Sequence, residues 1–330
     1  MAAPLSKQDL LSSLLVAIGS NGYQVLVAQH SHPFLLRIFR REEQSYLNVR
    51  VYIWNCTHGG KNRADDEFRI QLTGVVPEQQ EGELTLLLGW HEGFSVFVGF
   101  DITKHVGQDS GSPSIQVKED TLLKAHKRAF AAYDRANGEI AIAFRPEFIV
   151  DYALNAARLH KHKGSNRGFL KLLNQVDTLS DADIKKVRNK ERREIIATIK
   201  RKYREADFRY RVLTAYRNRC AMCGVQLDLV EAAHILPVAA DGSTDETSNG
   251  IALCSLHHDA FDKCLVAFDD RYKVEVSVSA LADLGARQLE EGKKEFTNAL
   301  KPAILLPADK RDYPNLRYVR RAKEVRLWRP

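Results

Sequence analysis

The sequence predicts an α+β protein: an N-terminal mixed β-sheet or small barrel with helices, a helical linker, and a C-terminal strand–strand–helix unit held together by paired metal ligands. Three observations predict it. Six short runs rich in β-branched and aromatic residues lie between positions 23 and 100. A polar, Gly-containing stretch, KHKGSNRG at 161–168, separates them from a charged helical segment. Beyond that segment, four of the five cysteines fall between Cys220 and Cys264, interleaved with histidines. A chain of 330 residues exceeds the usual span of one hydrophobic core, so two domains are expected.

The elements follow in order. Residues 1 to about 20 read as an amphipathic helix opened by Ser6 and closed near Gly19. The strand runs are Tyr23–Ala28, Phe34–Phe39, Tyr46–Trp54, Phe68–Val75, Leu84–Trp90 and Ser95–Phe100. In the third, Leu47, Val49, Val51 and Ile53 alternate with Tyr46, Asn48, Arg50 and Tyr52, which is the period of a strand. Turn signals at His58-Gly59-Gly60, Pro77 to Gly82 and His91-Glu92-Gly93 separate the runs. Residues 101–117 read as a loop, 119–134 as a helix, Glu139–Phe144 as an apolar strand and 146–160 as a helix. Ser180-Asp181-Ala182-Asp183 opens a long charged helix with an acidic first turn, as the helix dipole prefers. The expected domains are 1–165, a basic helical linker at 166–212, and 213–330 with a basic tail.

Composition narrows the class. No run of 18 apolar residues exists, so no membrane span is expected. The N-terminal apolar run is short, holds two serines and has no basic region before it beyond Lys7, so secretion is not expected. An odd, clustered cysteine set fits metal binding better than a disulfide framework, and points to a cytoplasmic, prokaryotic protein. Cys56 reads as a buried structural residue. The net charge of +7 favours an anionic partner. From Lys185 to Arg219 there are 14 Lys/Arg against 4 Asp/Glu, and this segment runs directly into Cys220. Such a stretch reads either as a solvated helix face or as a phosphate-contacting one.

Cys220-x-x-Cys223 places two thiolates on one tight turn, and Cys254-x-x-His257 supplies two more ligands 30 residues later. Together they complete a tetrahedral structural zinc site, with Cys264 as a spare that could replace His257. Between the pairs, Glu231-Ala232-Ala233-His234-Ile235-Leu236-Pro237 reads as a strand carrying one histidine. Asn249-Gly250-Ile251-Ala252-Leu253 reads as a second strand after a turn-rich loop, and Ser255 to Asp262 as a short helix carrying His258.

Strand, loop, strand and helix bracketed by ligand pairs resemble the ββα-metal unit of the HNH endonucleases over about residues 215–270. The letters fall on His234, Asn249 and His258. The pattern AAHI…NGIALC…H-x-x-FD is similar to the subgroup found at the C-terminus of restriction enzymes. The resemblance implies hydrolysis of DNA phosphodiester bonds with a catalytic magnesium or another divalent metal ion. It makes His234 the general base, Asn249 a residue that orients the imidazole or braces the loop, and His258 a ligand of the catalytic ion. Successive helical residues point about 100° apart, so His257 can face a zinc while His258 faces the cleft. Many HNH nucleases carry a metal ligand immediately before the base. Here that position is Ala233, which leaves Asp262, preferred for lying one turn past His258, or Glu231 as second ligand.

The stretches Tyr52 to Gly60 and Arg63 to Gln71, with LLLGWHEGFSVFVGFD and SGSPSIQVKEDTL, resemble the methylase-associated X1 domains of restriction–modification proteins over about residues 20–155. That resemblance implies a module reading double-stranded DNA, including its methylation state, and a cognate DNA methyltransferase in the same system for phage defence. Asn55, His58, Lys61 and Arg63 in the loop, and Lys200, Arg201, Lys202 and Arg204 in the basic segment, are the candidate DNA contacts. Alternatively, Asp65, Asp66 and Glu67 pair with Arg63 and Arg69 and the loop is structural. One such site cuts one strand, so a homodimer is expected for a double-strand break. The other reading is a zinc-stabilised DNA-binding protein without catalysis.

Overall fold

The computed structural model describes residues 4–40, 45–58, 60, 64–107, 113–135, 138–161 and 167–329. It divides into two compact units, Met1–Tyr203 and Arg204–Pro330. The first opens with α1 (Lys7–Gly19), where Ser6 and Asp9 form a reciprocal capping box. There follow β1 (Gln24–Gln29), β2 (Phe34–Phe39), β3 (Leu47–Asn55), β4 (Thr57–His58), β5 (Glu67–Gln71), β6 (Leu84–His91), β7 (Val96–Phe100) and β8 (Ser114–Lys118). Then come α2 (Glu119–Arg128), β9 (Phe130–Asp134), β10 (Ile140–Phe144), α3 (Ile149–His160), α4 (Arg167–Leu173), α5 (Asp181–Lys185) and α6 (Lys190–Ala215).

Among the described residues, seven strands form one open mixed sheet in the order β1-β2-β3-β6-β7-β10-β9. Every neighbouring pair is antiparallel except β3 with β6, where Val51 lies beside Leu86. The crossover between these two contains β4 and β5, which join β8 in a separate three-stranded sheet. The alternation read in β3 is real, but both faces are covered. Val49, Val51 and Ile53 enter a core with α1, α3 and the 169–199 segment, whereas Tyr52 and Trp54 enter a second core with β5, β8 and α2. Arg50 is buried in the sheet because Glu83 takes its Nε at 2.7 Å and Gln80 its Nη2 at 3.0 Å. Its charge is matched internally. Cys56 is buried, and burial pushes its thiol up. Among the described residues no helix is long and apolar enough to cross a membrane.

Three elements differ from expectation. The helix expected over 119–134 ends at Arg128, because Ala129 adopts φ 71° and reverses the chain into β9. A left-handed cap is normally read from glycine, and alanine hides it. The loop expected over 101–117 contains β8, whose Ile115 and Val117 are buried against β5. The long helix expected from Ser180 is two helices: Ser180 caps α5, and Asn189 accepts from Arg192 N at 2.9 Å at the start of α6. The segment expected as a linker, 166–212, is shared out. Phe169, Leu170, Leu173, Ile195, Ile196 and Ile199 belong to the first unit's core, Phe208 and Val212 to the second's.

Gly99 in β7 has no room for a side chain, since a Cβ there would stand 2.0 Å from the Tyr152 ring and hydroxyl. Tyr152 is itself held by His160 Nε2 at 2.8 Å. Gly99→Ala is expected to destabilise the first unit by about 1–3 kcal/mol through overpacking, seen as a lower urea midpoint by tryptophan fluorescence; an unchanged midpoint refutes the close approach.

Candidate metal centre and active site

The second unit holds β11 (Val230–His234), β12 (Gly250–Cys254), α7 (Ser255–Asp262), β13 (Val266–Phe268), β14 (Val274–Val276), α8 (Val278–Ala286), α9 (Lys293–Ala299) and α10 (Leu316–Val325). β11 and β12 pair antiparallel with His234 opposite Gly250 and Val230 opposite Cys254. α7 starts directly from Cys254 and packs back across both strands. The final stretch of α6 lies on the hairpin at Gly250, where a Cβ would meet Val212 Cγ2 at 2.2 Å.

The metal-ligand pairs converge. Cys220 and Cys223 sit on a tight turn closed by Gly224 N to Cys220 O at 2.8 Å, with Gly224 at φ 84°. Ala221 N bonds Ala252 O at 2.7 Å, which fastens this turn to β12. The donor atoms of Cys220, Cys223, Cys254 and His257 all lie within 4.8 Å of one another. Cys220 Sγ is 3.5 Å from His257 Nδ1, and Cys223 Sγ is 3.9 Å from Cys254 Sγ. Cys254 Sγ is 3.1 Å from His257 Nδ1; these separations bracket the ligand–ligand edges of about 3.5–3.8 Å of a tetrahedral zinc bound to sulfur and imidazole, so the donor set suits that ion. Burial pushes the Cys223 thiol up to about 12 and raises that of Cys254. Burial acts the same way on Cys220, but the His257 bond and backbone amides outweigh it and bring that thiol down to about 6. A cation shared by all four would compensate the charge of thiolates in this buried place. Cys264 is outside the cluster, with its Sγ 3.6 Å from Arg326 O.

His234 stands at the end of β11 with its side chain 19% exposed. Its ring lies flat on Phe208 of α6, centroids 3.8 Å apart and planes 9° from parallel. Nε2 is 3.1 Å from Asp245 Oδ1, and Asp245 is gripped in turn by Arg204 at 2.6 Å. Burial lowers the His234 pKa below its ordinary value, with Asp245 opposing and Arg204 reinforcing the shift. The shift favours the neutral ring.

Asn249 is fully buried, and its side-chain hydrogen bonds go to the loop, not to His234. Its Oδ1 accepts from Leu236 N at 2.9 Å, while Nδ2 donates to Thr244 O at 2.8 Å and Ser243 Oγ at 3.2 Å. It braces the loop between the strands. Arg211 fastens the same loop through Asp245 O and Thr247 Oγ1, both at 2.7 Å, and Tyr318 of α10 reaches Thr244 Oγ1 at 2.8 Å. Tyr318, Val319 and Ala322 are buried, so α10 packs over this core.

His257 is buried in the cluster while His258, the next residue, is partly exposed. His258 Nδ1 is 2.9 Å from Glu231 Oε2, and Nε2 is 3.5 Å from Asp262 Oδ2. The two carboxylates thus meet opposite nitrogens of one ring. Asp262 also accepts from Arg326 at 2.8 Å.

Most of the described candidate DNA contacts already have partners inside the chain. Asn55 exchanges hydrogen bonds with the backbone of Leu5 at 2.8 and 3.0 Å. Lys200 donates to Asp177 O at 2.9 Å, and Arg204 holds Asp245. His58 Nδ1 accepts from Gly60 N at 3.2 Å, and its ring meets the edge of Phe68. Arg201 is exposed and Lys202 partly so. Lys61 and Arg63 lie outside the described residues. In the adjoining stretch Asp66 pairs with Lys118 at 2.7 Å and Glu67 accepts from Gln116 at 2.9 Å, so these acids join β5 to β8. Asp245, Phe208 and Arg204 are the neighbours of His234 that sequence spacing did not show. Nothing in the order of residues links an acid in a loop, or an aromatic ring on the preceding helix, to that imidazole.

Because Asn249 satisfies buried backbone groups, Asn249→Ala is expected to destabilise the second unit by about 1–3 kcal/mol, measured by thermal unfolding. A wild-type melting curve would show that the loop does not depend on it.

Two stretches match known families. Residues 220–269 match the family described as HNH endonuclease, and residues 47–153 match Methylase-associated X1. No curated protein matches the chain. Among solved structures the chain is similar to a "Modification dependent TagI restriction endonuclease", with 14% identity and a TM-score of 0.30, over 86% of this chain and 82% of that one. The two resemblances carried by the sequence are thus both found as family matches, and the one over residues 220–269, which holds the metal-ligand cluster and His234, supports a nuclease.

Proposed function

We propose that the protein is a metal-dependent DNA endonuclease of restriction type, in which the second unit cuts and the first selects the site. The observation that carries this reading is His234, an imidazole clamped by Phe208 and Asp245 on a ββα unit that matches the HNH endonucleases and contains a ready-made Cys3His cluster.

Phosphodiester hydrolysis requires a base for the attacking water and a positive charge near the developing oxyanion. His234 takes the water's proton, since an unprotonated imidazole is the competent form. His258 and Asp262 hold the divalent ion, magnesium or another, which supplies the Lewis-acid stabilisation of charge. His258 Nε2 and Asp262 Oδ2 stand 3.5 Å apart, so both would be available to one divalent cation. Glu231, on Nδ1, fixes the tautomer that leaves Nε2 free. Cys220, Cys223, Cys254 and His257 hold a structural zinc that anchors the start of α7. Basic groups of α6, the exposed Arg201 and the partly exposed Lys202 among them, contact phosphates, so binding weakens steeply with salt. The first unit reads the DNA, with methylation as the discriminating mark, a cognate methyltransferase in the same system, and a homodimer for cutting both strands.

A second reading, a zinc-stabilised DNA-binding protein without catalysis, is favoured by Ala233, which stands where many HNH nucleases place a metal ligand. Plasmid cleavage with magnesium separates the two. Wild type is expected to nick or cut, with His234→Ala and His258→Ala each reduced by about 10²–10⁴-fold. Equal cleavage by wild type and His234→Ala refutes the nuclease mechanism. Metal analysis is expected to find tightly held zinc that Cys223→Ser releases, and an exchangeable manganese site that only His258→Ala removes. Cleavage is expected to be full above the ordinary histidine pKa and to fade as pH falls through the lower value of His234.

A further inference from the structure

We propose that Asp245 is the positioning residue of the His234 base: its carboxylate accepts the Nε2 proton of His234 and so presents an unprotonated Nδ1 to the attacking water. This rests on the nuclease reading above.

A carboxylate at neutral pH can only accept, so the ring nitrogen 3.1 Å from Asp245 Oδ1 must carry the hydrogen. In a neutral imidazole the lone pair then belongs to Nδ1. Among the described residues Nδ1 has no protein hydrogen-bond partner. Rotation of the ring is restrained separately by its stack on Phe208. The acid is itself held in place. Its Oδ2 takes Arg204 Nε at 2.8 Å and Nη2 at 2.6 Å, and its backbone oxygen takes Arg211 Nη2 at 2.7 Å. Arg204 keeps the carboxylate ionised, and the two charged groups facing His234 are this acid and this guanidinium.

The arrangement fills a role that Asn249 leaves vacant, because every hydrogen bond of that amide goes to the loop. It also gives Arg204 a task other than phosphate contact. Orientation and tautomer selection by a buried acid recur wherever histidine serves as a base.

The test is Asp245→Asn in the full-length protein, assayed on plasmid DNA with magnesium across pH beside wild type and His234→Ala. Asparagine preserves size but can offer an N–H to Nε2, which selects the opposite tautomer. The cleavage rate is expected to fall by about 10- to 100-fold with DNA binding unchanged. The acid limb should move to lower pH, because the acid's upward pull on the His234 pKa is gone. Loss of structure alone would reduce the rate without moving that limb. Wild-type rate and limb in Asp245→Asn, with His234→Ala inactive, overturn the inference and leave the nuclease reading intact. Full activity of His234→Ala overturns both. Should the variant fold poorly, nitrogen-15 NMR of histidine-labelled wild type decides the matter, with the His234 resonances assigned by their loss in His234→Ala. The Nε2–H tautomer is expected, and the Nδ1–H tautomer overturns the inference.

Discussion

Four donor atoms within 4.8 Å of one another, three thiols and an imidazole, set the geometry of the second unit. Such groups are costly to bury without a shared cation, and with one they become a clamp. The clamp joins a turn at Cys220–Gly224, the end of β12 at Cys254 and the first turn of α7 at His257. Because α7 begins at this clamp, the direction of its next residue follows: His258 leaves the cluster and meets Glu231 of β11. The cluster adds to a hydrophobic core that includes Val212, Ile235, Ile251, Leu253 and Phe261.

Around this frame, electrostatics are arranged in a chain. Asp207 and Asp245 take the guanidinium groups of Arg211 and Arg204, Asp245 also takes His234, and Asp262 takes Arg326. The basic excess of the segment before Cys220 is thus divided between internal work and the surface. Arg204 and Arg211 orient the loop that carries Asp245, whereas Arg201 lies exposed on the surface. A count of charges along the chain does not separate these uses, because both place arginine on the same helix a turn or two apart.

The large sheet was legible because its strands alternate with the period of the pleat and are separated by glycine and proline. All six runs read between positions 23 and 100 correspond to strands, with ends shifted by a residue or two except at the fifth strand of the chain, which stops at Gln71. β9 was missed because its boundary is an alanine at positive φ, and β8 because it is short and flanked by turn residues. Parallel pairing of β3 with β6 was also hidden, since alternation alone does not state which strand lies beside which. In the site, the ligand pairs were visible through spacing, since two residues three apart on a turn or helix reach one point. Asp245 and Phe208 were not, because they reach His234 through packing of separate elements.

By itself, the sequence determined the chemical inventory and its local order: the Cys-x-x-Cys turn, the Cys-x-x-His start of α7, the strand bearing His234 and the likeness to HNH endonucleases. These depend on neighbours in the chain, whose geometry is set by backbone dihedrals. Tertiary structure alone decided which acid faces which nitrogen. It placed Asp245 on His234, Glu231 on the His258 nitrogen opposite the one that Asp262 meets, and Asn249 on the loop instead of the base. Those pairings depend on how α6, β11 and α7 pack, and packing joins residues without regard to their distance along the chain.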